Sequence, residues 1–200
     1  MGTGDGRPRW NHNIHYHRLV IEAVCSGAQN ALDVGTGNGL LAAELRARVP
    51  VVVAIDADAA VLAEAREEIG DVDFVHGDVM THRFETRFDV VASIATLHHL
   101  SDLDAVFARL SDLTEPGGVV VVVGLARATR LSEYAKSLVG VVQHRWLSWR
   151  RGYWEHSAPT AWPPPHSYSD VRDSVQRVLP GAEFRQLALF RYAVLWRKPS

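Results

Sequence analysis

Residues 31–41, Ala31-Leu32-Asp33-Val34-Gly35-Thr36-Gly37-Asn38-Gly39-Leu40-Leu41, decide how the rest of the chain is read. The stretch opens as a short apolar run, which predicts a buried strand. Glycines then fall at every second position, and a helix pattern resumes with Leu40, Leu41 and Leu45 on one side. A strand, a glycine turn and a helix start together make a ligand-binding surface. Glycine admits positive φ and lets a ligand approach the main chain with no Cβ in the way. The helix N-terminus adds unpaired N–H groups and a partial positive charge. Spacing separates the cofactors that use such a turn. The dinucleotide fingerprint G-x-G-x-x-G/A needs a small third residue for close helix–strand packing, and counting from Gly35 that position is Leu40. The pattern present is D-x-G-x-G-x-G. Its acid, Asp33, would repel a pyrophosphate and suits a ligand carrying an ammonium or sulfonium charge.

Outward from this turn, strand and helix patterns alternate. A helix is predicted over about 38–48, and Val51-Val52-Val53-Ala54-Ile55 then forms a continuous apolar run ending in Asp56. Such a run suggests a parallel strand covered on both faces. Asp56 lies 21 positions after Gly35, where doubly wound folds place an acid that binds ribose hydroxyls. Asp58 is read as the cap of the next helix, which carries Val61, Leu62, Ala65 and Ile69. Val72 to Val79 predicts a third strand ending in Gly77-Asp78, and Phe88 to Leu100 a fourth strand with its loop. Ser101, with Asp104 three residues on, reads as a capping-box-like start for a helix with Leu103, Val106, Phe107, Leu110 and Leu113 at helical spacing. Pro116-Gly117-Gly118 ends that region, and Val119 to Val123 is the fifth strand. The alternation defines a doubly wound α/β sheet. Downstream come a short helix pattern (Val171, Val175, Val178, Leu179), Pro180-Gly181, and two strand-like runs at about 183–190 and 191–197.

These pieces occur in a fixed order: D-x-G-x-G-x-G, Asp56, Gly77-Asp78, F-D-V-V at 88–91, L-H-H-L at 97–100, and L-T-E-P-G-G-V-V-V-V-V at 113–123. In that order they resemble the class I S-adenosylmethionine (SAM) dependent methyltransferases of small-molecule type, those acting on quinones and natural products among them. The resemblance covers residues 31–125. It implies a Rossmann-like, seven-stranded α/β sheet, mostly parallel, with an antiparallel C-terminal hairpin and helices on both faces. It implies a single domain: a lid helix within 1–28, a SAM-binding core at 29–125, a substrate-cap insertion at 126–167, and a closing helix and strand pair at 168–200. SAM becomes the cofactor and S-adenosylhomocysteine the product. Carried over position by position, the cofactor residues are Asp33, Gly35, Thr36, Gly37 and Gly39, then Asp56 on the ribose, Ala57 against the adenine, Asp78 and Val79 on its edge, Ser93, and Tyr16 from the lid. His98 and His99 fall near the methyl group. Histidine titrates near neutral pH, which suits a general base; a helix-start or packing role competes for each. His17, Tyr153, Trp154 and Arg150 are the substrate candidates, with Tyr16, Tyr153, His17 and His156 as competing catalytic groups.

Composition bounds the remaining readings. Two hundred residues suit one domain with a good core. The net charge of −2 gives no global pull toward nucleic acid or membrane. Cys25 is the only cysteine, so no intramolecular disulfide can form, and a reducing, cytoplasmic compartment is expected. No apolar leader pattern and no run of 18 apolar residues is present. His12, His15 and His17 invite a metal reading, but no second ligand cluster completes a shell. Ser93-Ile94-Ala95-Thr96 holds no carboxylate for a metal-assisted mechanism, so no metal is expected. From Arg127 to Arg151 six Arg or Lys accompany one acid, Glu133, amid aromatic residues. This stretch keeps an RNA acceptor open as an alternative, although charge and the missing N-P-P-Y-type motif speak for a small acceptor and no nucleic-acid partner. As a basic amphipathic helix it also allows membrane contact. A SAM-binding protein without methyl transfer fits the same motifs, and an NAD(P) reading survives through Gly35, Gly37 and Asp56.

Overall fold

The computed structural model describes residues 10–130, 133–134, 163–188 and 191–200. The apolar run before the glycine turn is β1 (Asn30–Val34), and the further strands are β2 (Val51–Asp56), β3 (Asp73–His76), β4 (Phe88–Ile94), β5 (Thr114–Leu125), β6 (Glu183–Gln186) and β7 (Arg191–Arg197). They form one seven-stranded sheet in the order β3-β2-β1-β4-β5-β7-β6. The pairs β1–β2, β2–β3, β1–β4 and β4–β5 are parallel, while β5–β7 and β6–β7 are antiparallel. Chain order runs outward from β1 to β3, then jumps back across β1 to β4. The strand order therefore reverses between β1 and β4, and such a switch point opens a crevice at the carboxyl ends of the strands.

The six described helices are α1 (His12–His15), α2 (His17–Ala23), α3 (Leu40–Arg46), α4 (Ala59–Glu68), α5 (Leu103–Leu113) and α6 (Tyr168–Val178). Strand side chains alternate between faces, and both faces are covered. Leu32, Val34, Val120 and Val122 pack with Phe107, Leu110, Val171 and Val175 of α5 and α6. Ala31, Val119, Val121 and Val123 pack with Val20, Leu41 and Leu45 of α2 and α3. Two-sided burial is why β5 reads as five consecutive valines and not as an alternating strand. No helix among the described residues is long and apolar enough to cross a membrane.

Three local expectations are corrected. The α5 cap is Asp102, whose side chain accepts from the Ala105 N–H at 3.0 Å, and not Ser101. Asp104, the expected box partner, accepts instead from the Ser174 hydroxyl and the Arg177 guanidinium of α6, joining the two helices. A capping box does form, but at Ser167 and Asp170, where α6 begins. Pro116-Gly117-Gly118 lies inside β5 and does not precede it; the β4–β5 register shifts opposite this point, between Phe88 and Val90. The expected lid helix within 1–28 also splits in two, with Asn11 capping α1 through bonds from the Asn13 and Ile14 N–H groups, both 2.9 Å.

Candidate active site

At the end of β1 the Asp33 carboxylate is buried, and Oδ2 accepts from the Thr36 hydroxyl at 2.7 Å. Desolvation pushes its pKa up to about 6, against the opposing pull of the Thr36 bond and the charge of His17. The turn beyond it is tied to β2: the Gly35 and Thr36 N–H groups both donate to the Ile55 carbonyl, at 2.8 and 3.2 Å. Asp56 then fastens two loops. Its Oδ2 accepts from the Gly37 N–H at 2.8 Å and its Oδ1 from the Asp58 N–H at 2.9 Å. A carboxylate oxygen accepts more than one bond, so both keep capacity for hydroxyl donors. Asp58 caps α4, accepting from the Ala60 and Val61 N–H groups.

The three glycines of the turn do different things. A Cβ on Gly35 would stand 2.1 Å from the Thr96 hydroxyl, so this glycine lets the turn pack on the loop after β4. At Gly37, with φ +54°, a Cβ would meet nothing within 4 Å, leaving the main chain open to a ligand. Gly39 caps α3, and a Cβ there would strike Ile69 and Phe74. Its smallness serves packing.

A cavity of about 770 Å³ opens over the carboxyl ends of the central strands. One wall is built from Asp33, Gly35, Thr36, Gly37, Asn38, Asp56, Ala57, Asp78 and Val79. The opposite wall comes from Ala95, Thr96, His98, His99, Leu125 and Arg191, and Asn11, Asn13, Ile14 and His17 close over it from the N-terminal helices. Gly39, Ser93 and Tyr16 do not line it. Ser93 is fully buried, and its hydroxyl donates to the Val34 carbonyl at 2.9 Å, pinning β4 to β1. The Tyr16 hydroxyl donates to the Ala188 carbonyl at 2.8 Å, and burial pushes its pKa up to about 12. Tyr153, Trp154, Arg150 and His156, with most of the expected cap insertion, lie outside the described residues.

The two adjacent histidines differ sharply. Both sit on a single 3₁₀ turn (Leu97–His99) with rings 4.0 Å apart. His98 is buried and its Nδ1 makes no hydrogen bond among the described residues, whereas His99 is exposed. Burial, then the charges of His99 and Arg191, push the His98 pKa down to about 4. His98 is therefore a neutral imidazole at ordinary pH. His17 is buried too, with Nδ1 2.9 Å from Glu44 Oε1. Just before the histidine turn Ala95 takes φ +57°, a left-handed conformation costly for a residue with a Cβ.

Several wall residues escaped sequence reasoning. Asn11 carried a signal, an N-cap asparagine at a helix start. Ala95 and Thr96 precede the L-H-H-L stretch and carried no signal of their own. Arg191 had none either: it opens a strand read only as half of a closing hairpin. Its NH2 donates to the Asn13 side-chain oxygen at 2.8 Å. No cluster of three or more His, Cys, Asp or Glu suited to a metal occurs among the described residues.

A family model described as "Methyltransferase domain" matches residues 32–122. An uncharacterized methyltransferase of Mycobacterium tuberculosis (strain ATCC 25618 / H37Rv) is 41% identical over 193 residues, which span 95% of this chain and 98% of that protein. Among solved structures, the SAM-bound amino pentose methyltransferase from Micromonospora echinaspora, involved in calicheamicin biosynthesis, is 28% identical with a TM-score of 0.51, over 56% of this chain and 50% of that one. An N-methyltransferase from Bradyrhizobium japonicum WM9, in complex with S-adenosylhomocysteine, shares the fold at 12% identity, with a TM-score of 0.61 over 94% of this chain and 87% of that one.

Proposed function

Since the chain belongs to the class I SAM-dependent methyltransferases, we propose that it methylates a small-molecule acceptor, without a metal, in the cavity between the glycine turn and the histidine turn. The observation that carries this reading is the joint geometry of Asp33, Gly37 and Asp56. A buried carboxylate, an open stretch of main chain and a second carboxylate with spare acceptor capacity line one wall. These residues fit SAM. Asp33, steadied by Thr36, would face the ammonium; Asp56 would accept from the ribose hydroxyls; Ala57 would lie against the adenine, with Asp78 and Val79 at its edge. When bound, SAM supplies a methyl group on a sulfonium, an electrophile already activated for in-line displacement.

The protein's own contribution is then position and exclusion of water. The cavity is within the range that holds a small ligand, and one of the similar solved structures is of an amino pentose methyltransferase. His98 faces this space as a neutral, weakly basic imidazole. Its role is to hold the acceptor by hydrogen bonding at Nδ1; stripping a proton from a weakly acidic nucleophile needs a stronger base. His99, at the exposed rim, is the secondary candidate.

The test is methyl transfer from labelled SAM to a panel of small amines, phenols and acids, with total RNA in parallel, using wild type and His98→Ala. The expected result is label in a small acceptor, none in RNA, and at least a tenfold drop in turnover in the variant with S-adenosylhomocysteine binding retained. Label entering RNA alone would overturn the small-molecule reading. Full turnover by His98→Ala would remove that residue from the mechanism.

A further inference from the structure

We propose that Arg109 is a positioning residue that sets the cofactor's base preference, by holding the turn whose Asp78 and Val79 face the adenine; this inference rests on the SAM reading above. β3 ends at His76 and β4 begins at Phe88, and no helix spans the connection. A parallel crossover usually runs through a helix, which satisfies its own backbone. This loop needs partners from elsewhere. Arg109 of α5 supplies them without lining the cavity itself: its Nε donates to the Val79 carbonyl at 3.0 Å and its Nη2 to the His82 carbonyl. The guanidinium carbon lies 6.0 Å from the Phe84 ring centroid, and Phe84 meets Phe88 of β4 edge-on at 5.5 Å. Val79, Phe88 and Phe107 of α5 share one core cluster, so loop and helix are packed together as well as bonded.

The bond to Val79 reaches the ligand side through one peptide. A trans peptide is planar and points its C=O and N–H in opposite directions. Arg109 holds the Val79 carbonyl, and the N–H of the same peptide, that of Met80, donates to Asp78 Oδ1 at 2.9 Å. Guanidinium, peptide and carboxylate thus form one chain of hydrogen bonds, whose members polarise one another. The Thr81 and His82 N–H groups close the turn on the Asp78 carbonyl, at 3.1 and 2.8 Å. Asp78 Oδ2 and the Val79 N–H make no hydrogen bond among the described residues, and both residues line the cavity. An acceptor beside a donor complements adenine, whose edge carries an amino donor next to a ring-nitrogen acceptor. Hypoxanthine reverses the pattern, with a carbonyl oxygen beside a ring N–H. Only a planar fork bonds both loop carbonyls in a fixed geometry; a lysine at this position is a point charge on a flexible stem.

The test is calorimetry with S-adenosylhomocysteine and with S-inosylhomocysteine, which carries hypoxanthine in place of adenine. Wild type, Arg109→Gln, Arg109→Lys and Asp78→Asn are compared. Wild type is expected to prefer S-adenosylhomocysteine by at least about tenfold, since the wrong base leaves both edge groups mismatched. Arg109→Gln is expected to cut that preference at least about fivefold by weakening S-adenosylhomocysteine, with S-inosylhomocysteine affinity held within about twofold. Arg109→Lys falls between the two. Asp78→Asn, whose amide offers a donor to the hypoxanthine oxygen, removes or inverts the preference. An equal loss for both ligands in Arg109→Gln makes the arginine a general stabiliser of the fold and overturns the proposal. A wild-type preference retained in full by Arg109→Lys overturns it too, and this variant decides the matter if the melting curve shows Arg109→Gln unfolded. Both results leave the reading of the site standing. A preference that Asp78→Asn leaves unchanged, or a wild type that has none or binds neither ligand, sinks the placement of the adenine, and the proposal with it.

Discussion

Asp33 is a carboxyl enclosed so deeply that its pKa rises to about 6, and this links ligand binding to pH. In the free protein the folded value lies above the unfolded one, near 3.9. Its contribution to stability is therefore fully present below pH ~3.9 and is lost as pH rises through about 6. A cationic group placed beside Asp33 favours the ionised form and pulls the pKa back down. Binding then releases a proton, and SAM affinity should rise with pH up to about 6 and level off above it. Calorimetry at several pH values checks this, with Asp33→Asn expected to flatten the profile and weaken binding throughout. A wild-type profile already flat below pH 6 would detach Asp33 from the ligand. At this scale the legible residues were those whose spacing alone carries meaning: Asp33 at a strand end, Asp56 at a fixed distance from Gly35, Asp58 at a helix start. Ser93 shows the opposite limit. A serine at the end of a buried strand reads the same whether its hydroxyl faces a ligand or, as here, the Val34 carbonyl of the neighbouring strand.

Among the helices, the start of α5 offers a clean comparison. Asp102 caps it, and Ser101 does not. Asp102→Ala should cost about 1 kcal/mol, a drop of about 2–4 °C in melting temperature for a domain this size. Ser101→Ala should stay within about 0.5 kcal/mol. Equal losses would put the cap back on Ser101. Helices α3 to α6 were legible from periodicity because each buries an apolar stripe, and β1, β4 and β5 because nearly every position is buried. Their ends were less so, since Ser101, Asp102 and Asp104 offer competing caps and only the packing of α6 decides where Asp104 turns. The box at Ser167 and Asp170 has the right residues at the right spacing.

For the whole molecule, alternation of strand and helix patterns predicted the sheet, and the antiparallel closing pair followed from the resemblance. Of the cavity's second wall, sequence provided only His98 and His99. The rest joins residues distant in the chain: Leu125 in β5 meets Arg191 only through the placement of β7 beside β5, and Arg191 in turn reaches Asn13 of α1 above the cavity. The central claim is that the glycine turn and Asp56 bind SAM. The most direct measurement is a thermal-shift titration with SAM, S-adenosylhomocysteine and NAD(H), on wild type and Asp56→Ala. A ligand at about a hundred times its dissociation constant contributes about 2.7 kcal/mol, hence a shift of several degrees at about 2–4 °C per kcal/mol. The account predicts that shift with SAM and its product, none with NAD(H), and its loss in Asp56→Ala. A shift with NAD(H) alone, or one with SAM that Asp56→Ala leaves intact, would contradict it.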